Sequence, residues 1–215
     1  MILVLFTGLA AGFGHVLLGP DHVAALAPFS VEAHRDAWRV GLRWGIGHAL
    51  GLIAVALVFV SAADWLDVAW LEGIGAYLVG AVLIAVGTWG LLHQRRAVAQ
   101  YTSAADGAHE HQHVHTTAAL SIGTLHGLVG TGSTLAVLPA AGMHSWAESS
   151  VYLAGFGLGT VVSMMGIAWL LGALSPREQR GAAYRRVFVA ASLASLAFGM
   201  LWIGLALAGV ELEAG

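Results

Sequence analysis

The chain contains no cysteine and no lysine. Without thiols there can be no disulfide scaffold, no thiolate metal site and no dithiol redox relay. Charged residues occupy only 10% of its 215 positions, whereas 58% are apolar. A typical soluble domain is about a quarter charged. So little polar surface cannot wrap so much apolar mass in water, and so much apolar mass excludes disorder. A net charge of −3 with no basic run argues against a nucleic-acid partner. Against these depletions stand 11 histidines, more than the nine basic residues, all of which are arginine.

Charges punctuate the apolar sequence into uncharged stretches at 1–20, 44–63, 73–94, 111–147, 149–176 and 187–210. A helix needs about 20 residues to cross the hydrocarbon core of a bilayer. The pattern predicts an all-α polytopic membrane protein of six transmembrane helices, the first reaching to about Pro28 and the fourth covering about 116–142. The first stretch reads as a span rather than a secretory leader, because it lacks a basic start and carries His15 and Asp21. All the arginines fall between spans 1 and 2 (Arg35, Arg39, Arg43), 3 and 4 (Arg95, Arg96), and 5 and 6 (Arg177, Arg180, Arg185, Arg186). The positive-inside rule makes that face cytoplasmic, so both termini are expected outside a cell (inner or plasma) membrane.

The sequence also matches itself. Residues 9–28 align without gaps to 120–139, with Leu9/Leu120, Gly12/Gly123, His15/His126, Leu17/Leu128, Gly19/Gly130, Ala25/Ala136 and Pro28/Pro139 identical. One residue further out of register, Trp44 through His48 matches Phe156 through Thr160. A three-span unit repeated once must be inverted, and inverted repeats are a transporter architecture with the site near mid-membrane. The expected organisation is a first three-helix repeat over 1–92, a His-rich cytoplasmic loop over 93–117 and a second repeat over 118–215.

Inside the spans lie His15, His22, His48 and His126, together with Asp21, the one acid deep within a predicted span. An ionisable residue at such depth costs about 2.5–3.5 kcal/mol on insertion scales, so its default reading is functional. A lone histidine there is as readily a packing contact; four of them, one adjoining the acid, form a pattern. Gly19-Pro20 should break the first helix, because proline removes a backbone donor and disfavours helix before it. Asp21 is expected to cap the half-helix that follows. The Gly-rich 127–133 segment should break span 4 equivalently. Imidazole with carboxylate suits borderline divalent ions such as Ni²⁺, Co²⁺ and Zn²⁺.

These motifs resemble those of a known family. His15 followed by Asp21-His22 looks like the His…Asp-His motif of nickel/cobalt permeases, with five residues rather than the usual four between His and Asp. Gly45-Ile46-Gly47-His48 is similar to their Gly-His element. The segment from Thr124 through His126 to Ser133 resembles the His-Gly-Leu, Gly-x-Gly segment of the NicO/UreH-type branch. The resemblance implies a transition-metal permease with His15, Asp21, His22 and His48 in the metal pathway. His126 joins them on the repeat alignment.

Four more histidines, His109, His111, His113 and His115, alternate along a polar segment that reads as disordered and metal-binding by composition. The expected function is permeation of a divalent cation by alternating access, with that tract as a low-specificity buffer or sensor. No catalytic activity and no resident cofactor are expected, since the metal is cargo. The partners are the lipid bilayer, the metal ion and a cytoplasmic metal-accepting protein. Export by proton exchange, anion (sulfite-like) export, delivery of metal as an accessory protein, and bis-His haem binding stay open as alternatives.

Overall fold

Inside hydrocarbon, backbone polar groups can be satisfied only by helices or a closed barrel. The computed structural model of the chain describes residues 1–62, 68–103, 114–130, 133–176 and 181–209, and among them there are helices and no strand. The helices are α1 (Ile2–Leu18), α2 (Pro20–Ala33), α3 (Ala37–Ala62), α4 (Val68–Ser103), α5 (Val114–Val129), α6 (Ser133–Ala141), α7 (Trp146–Leu174) and α8 (Ala182–Leu207). A single 3₁₀ turn, His34–Asp36, joins α2 to α3.

Four stretches are long and apolar enough to cross a membrane: Pro20–Val58, Ile74–Arg95, Trp146–Leu174 and Ala182–Leu207. Six full-length spans are expected from the uncharged runs; among the described residues four stretches qualify, with two shorter apolar helices, Ile2–Leu18 and Ala118–Val129, beside them. The 17 residues of α1 rise only about 26 Å, short of the roughly 30 Å hydrocarbon core. The helix breaks account for the difference. Gly19 is extended (φ −85°, ψ 100°) and Pro20 opens α2 at its first position, where a missing N–H costs nothing. The Gly19 N–H donates to the His15 carbonyl at 3.1 Å, and the Gly130 N–H donates to the His126 carbonyl at 2.8 Å. Both expected breaks thus begin the same way.

Two expectations require correction. Asp21 does not cap α2. Gly19 holds the cap position with no side-chain bond, and Asp21 is already within the first turn. Proline at the first helical position puts the cap at Gly19, two residues before Asp21, so the Asp21 carboxylate projects sideways while still favoured by the helix dipole. The polar segment also begins later than residue 93. Helix α4 continues to Ser103, because 93–103 contains neither proline nor glycine to stop it.

The largest interfaces pair α1 with α7, α3 with α5, α4 with α8 and α3 with α7. Glycine lets these backbones meet. A Cβ at Gly12 would run into the Phe156 carbonyl, and one at Gly123 into the Trp44 carbonyl. Likewise Gly159 abuts the Leu9 carbonyl and Gly47 the Leu120 carbonyl. Each pair maps onto its counterpart by the shifts that align the sequence with itself. Close approach over small residues is the usual basis of helix association in lipid. Ser195 Oγ adds a hydrogen bond to the Leu83 carbonyl, 2.9 Å, between α8 and α4.

Described residues next to the arginines in the sequence come together at one end. There His34 Nδ1 meets the Gly172 carbonyl at 3.0 Å. Ser175 Oγ donates to the Val31 carbonyl at 3.3 Å. His93 Nε2 lies 3.0 Å from Glu32 Oε1. At the opposite end Ser145 caps α7, accepting from the Glu148 N–H at 3.2 Å, while Glu148 Oε2 accepts from the His144 N–H at 3.3 Å. This reciprocal arrangement is close to a capping box.

Close packing over glycine generates a prediction. Gly12→Ala and Gly123→Ala should each lower stability in detergent by about 1–3 kcal/mol, the usual cost of overpacking. Gly14→Ala and Gly166→Ala, where a Cβ meets nothing within 4 Å, should be neutral or slightly stabilising. Thermal melts of the four variants compare the two classes; equal melting temperatures across all four would show that backbone approach does not limit the fold.

Candidate functional site

The breaks in α1–α2 and the packing of α3 on α5 bring five side chains to one place. His15 comes from the last turn of α1, Asp21 and His22 from the first turn of α2, His48 from α3 and His126 from α5. All five are buried, none more than 3% exposed. The ring centroid of His22 lies 4.6 Å from His15, 5.0 Å from His48 and 5.1 Å from His126. His48 is 5.7 Å from His15 and 5.5 Å from His126. Every residue that the sequence singled out inside the spans is therefore in the cluster.

Asp21 holds it together. His126 Nε2 donates to Asp21 Oδ2 at 3.0 Å. His22 Nδ1 lies 3.2 Å from Asp21 Oδ1. His126 Nδ1, Asp21 Oδ1 and both ring nitrogens of His15, His22 and His48 are buried without a hydrogen-bond partner. A neutral imidazole has one N–H and one lone pair, so each ring still has a lone pair to offer or a proton to place. Leaving a buried polar atom unsatisfied costs about 1–3 kcal/mol. The cluster gathers several such atoms at one point.

The donor atoms fall into two overlapping sets, His15/His22/His48 and Asp21/His22/His126. Within each set, one ligand atom per residue lies within 4.8 Å of the others. His22 belongs to both. Nitrogen and carboxylate oxygen at these separations are within reach of one borderline divalent ion, or of two positions a short step apart.

The local backbone explains why the residues converge. A Cβ at Gly19 would strike His22 Nδ1 and Asp21 Oδ1, so glycine is needed there for more than the break. A Cβ at Gly127 would run into the His48 carbonyl, so glycine also sets the depth at which α5 meets α3. Phe156 and Trp44 form walls, with ring centroids 5.7 Å from His15 and 6.2 Å from His126. Tryptophan in a membrane protein is commonly found in interfacial belts. Trp44 and Trp202 are instead buried in the core, whereas Trp146 is 60% exposed. No periodic signal separated them, since every span is apolar on all sides.

The two halves contribute unequally. Thr160, the counterpart of His48, is fully buried and donates through Oγ1 to the Gly12 carbonyl at 3.4 Å. Among the described side chains, the second half supplies only His126. Of the alternating tract, His109, His111 and His113 lie outside the described residues, and His115 stands in the first turn of α5 with its side chain outside the description. His144 is exposed, 4.0 Å from Glu148 Oε2.

Comparison with known proteins gives three relatives and a family. Chloroplast protein FOR GROWTH AND FERTILITY 1 of Arabidopsis thaliana is 31% identical over 182 residues, 79% of this chain and 50% of the relative. Chloroplast protein FOR GROWTH AND FERTILITY 2 of the same plant is 29% identical over 203 residues, 91% of this chain and 54% of the relative. The chain thus spans about half the length of these plant relatives. Urease accessory protein UreH of Bacillus sp. (strain TB-90) is 26% identical over 198 residues, 84% of this chain and 82% of the relative. No solved structure matches. Matched from residue 4 to residue 202, the chain belongs to the family described as the cytochrome c biogenesis protein transmembrane region.

Proposed function

We propose that this multi-pass membrane protein is a permease for a divalent transition-metal cation, Ni²⁺ or Co²⁺ foremost and Zn²⁺ within the same ligand chemistry. The observation that carries the reading is the convergence of four buried imidazoles and one carboxylate, with unsatisfied ring nitrogens, at the breaks of α1–α2 and beside that of α5–α6. Helix breaks at membrane depth are tolerated where they line a site. A cation entering there exchanges its water for His15, Asp21 and His22, with His48 and His126 completing or relaying the set.

The reciprocal glycine contacts of α1–α7 and α5–α3 support a 3+3 inverted repeat, in which six helical passes (two of them broken) make two halves. In this reading the halves are 1–92 and 118–215, and they rock about the cluster to expose it alternately. The arginine-bearing end is cytoplasmic, which puts both termini outside and makes the 109–115 tract a cytoplasmic metal buffer. A dication moving inward gains roughly 4.6 kcal/mol per 100 mV, so import needs no coupling ion, whereas export requires one. A second reading, metal delivery to an enzyme as an accessory protein, is favoured by the relative named a urease accessory protein.

Uptake of Ni²⁺, Co²⁺ and Zn²⁺ into proteoliposomes separates these readings. His15→Ala, Asp21→Asn and His22→Ala should each reduce flux at least roughly tenfold, as loss of a ligand or its support commonly does. Flux like that of the unaltered protein in all three refutes the site. Removing 109–115 should leave flux in place.

Stability supplies an independent check. If His48 is retained for a cation rather than for the fold, His48→Leu should leave the metal-free protein as stable as before or more so, because an unsatisfied buried ring is replaced by an apolar one. A loss above about 1 kcal/mol in a detergent melt would mean that the imidazole is a structural element.

A further inference from the structure

We propose that Glu32 and His93 form a second divalent-cation site at the arginine-bearing end of the molecule, one station beyond the central cluster. The inference rests on the permease reading above. Glu32 stands in the last turn of α2, and His93 lies on α4, two residues before Arg95. His93 Nε2 is 3.0 Å from Glu32 Oε1, with side chains 39% and 21% exposed. The pair is therefore sheltered yet reachable from water.

The donors repeat the chemistry of the centre, one imidazole nitrogen and one carboxylate oxygen. Two such atoms bound about 2.1 Å from one ion, at right angles, lie about 3.0 Å apart. The pair already has that edge length. An open groove along α4, lined by Ala85, Thr88, Trp89, Leu92 and His93, leads to the imidazole. A site with few protein ligands and several waters binds weakly and exchanges readily, which suits a station that an ion must enter and leave.

The position of the pair adds the second observation. A column of rings runs from the central cluster to it. Trp44 lies 6.2 Å from His126, Phe29 5.9 Å from Trp44, and Trp89 4.7 Å from Phe29. His93 then stacks on Trp89 at 5.3 Å and 24°. Trp44 and Phe29 are buried. The space between the two histidine groups is thus occupied by apolar rings, which give a cation nowhere to rest. His93 and Glu32 stand at the far end of the column. A merely structural ion pair at the protein surface needs neither the matching donor chemistry nor a place at the end of the ring column.

The test uses the full chain in detergent with His109, His111, His113 and His115 replaced by alanine, so that the tract contributes no binding. Equilibrium dialysis with Ni²⁺ should give two ions per chain. Glu32→Gln and His93→Gln, close in size and at part-exposed positions, should each lose one ion, with helix content checked by circular dichroism. His15→Ala or Asp21→Asn should lose the other ion and keep the outer one. Co²⁺, which quenches nearby indole fluorescence, should quench less in Trp89→Phe. If Glu32→Gln and His93→Gln bind two ions with affinities within twofold of the parent, the outer site is overturned. If instead the central variants lose nothing while Glu32→Gln and His93→Gln each lose an ion, the central reading fails and the outer site stands.

Discussion

A carboxylate in a medium of low dielectric must find partners or shed its charge, and Asp21 finds two. His126 donates to one oxygen from α5, and His22 lies against the other from the next position on α2. Removing one partner of a buried group leaves the other unsatisfied, a cost larger than the bond itself contributes. Asp21 therefore ties the broken first segment to the second half of the chain at the depth where solvent is absent. The break at Gly19-Pro20, the glycine at position 127 and the placement of α3 all act to keep that contact in register.

Around this contact the scaffold is nearly balanced and the ligand set is not. Helices α1 and α7 meet over glycines as α5 and α3 do, and both breaks begin with a glycine N–H on a histidine carbonyl. Yet four of the five clustered residues come from the first half, with Thr160 standing where a second His48 would be.

Much of this was legible from residue types. The uncharged runs, the arginine bias, the two breaks and the five intramembrane ionisable residues follow from the high cost of charge and of unpaired backbone in hydrocarbon, which restricts where such residues stand. Three things were not. Asp21 as a sideways bridge rather than a cap depends on proline setting the helix start two residues earlier. Trp44 as a wall of the site, and not a member of a belt, depends on which face of an all-apolar helix turns inward. The pairing of Glu32 with His93 joins residues far apart in the chain, both of which read alone as ordinary ends of helices.

By itself, then, the sequence determined the solvent this protein is built for, the places where its helices break and the donor chemistry it carries, because each follows from transfer energies and backbone rules that act locally. Only the tertiary structure decided that His15, Asp21, His22, His48 and His126 share one buried volume, and that α1 ends at Leu18 short of a full crossing. Helix–helix approach over glycine is set by interlocking surfaces of distant segments, and hydropathy alone cannot say which of several apolar faces will meet.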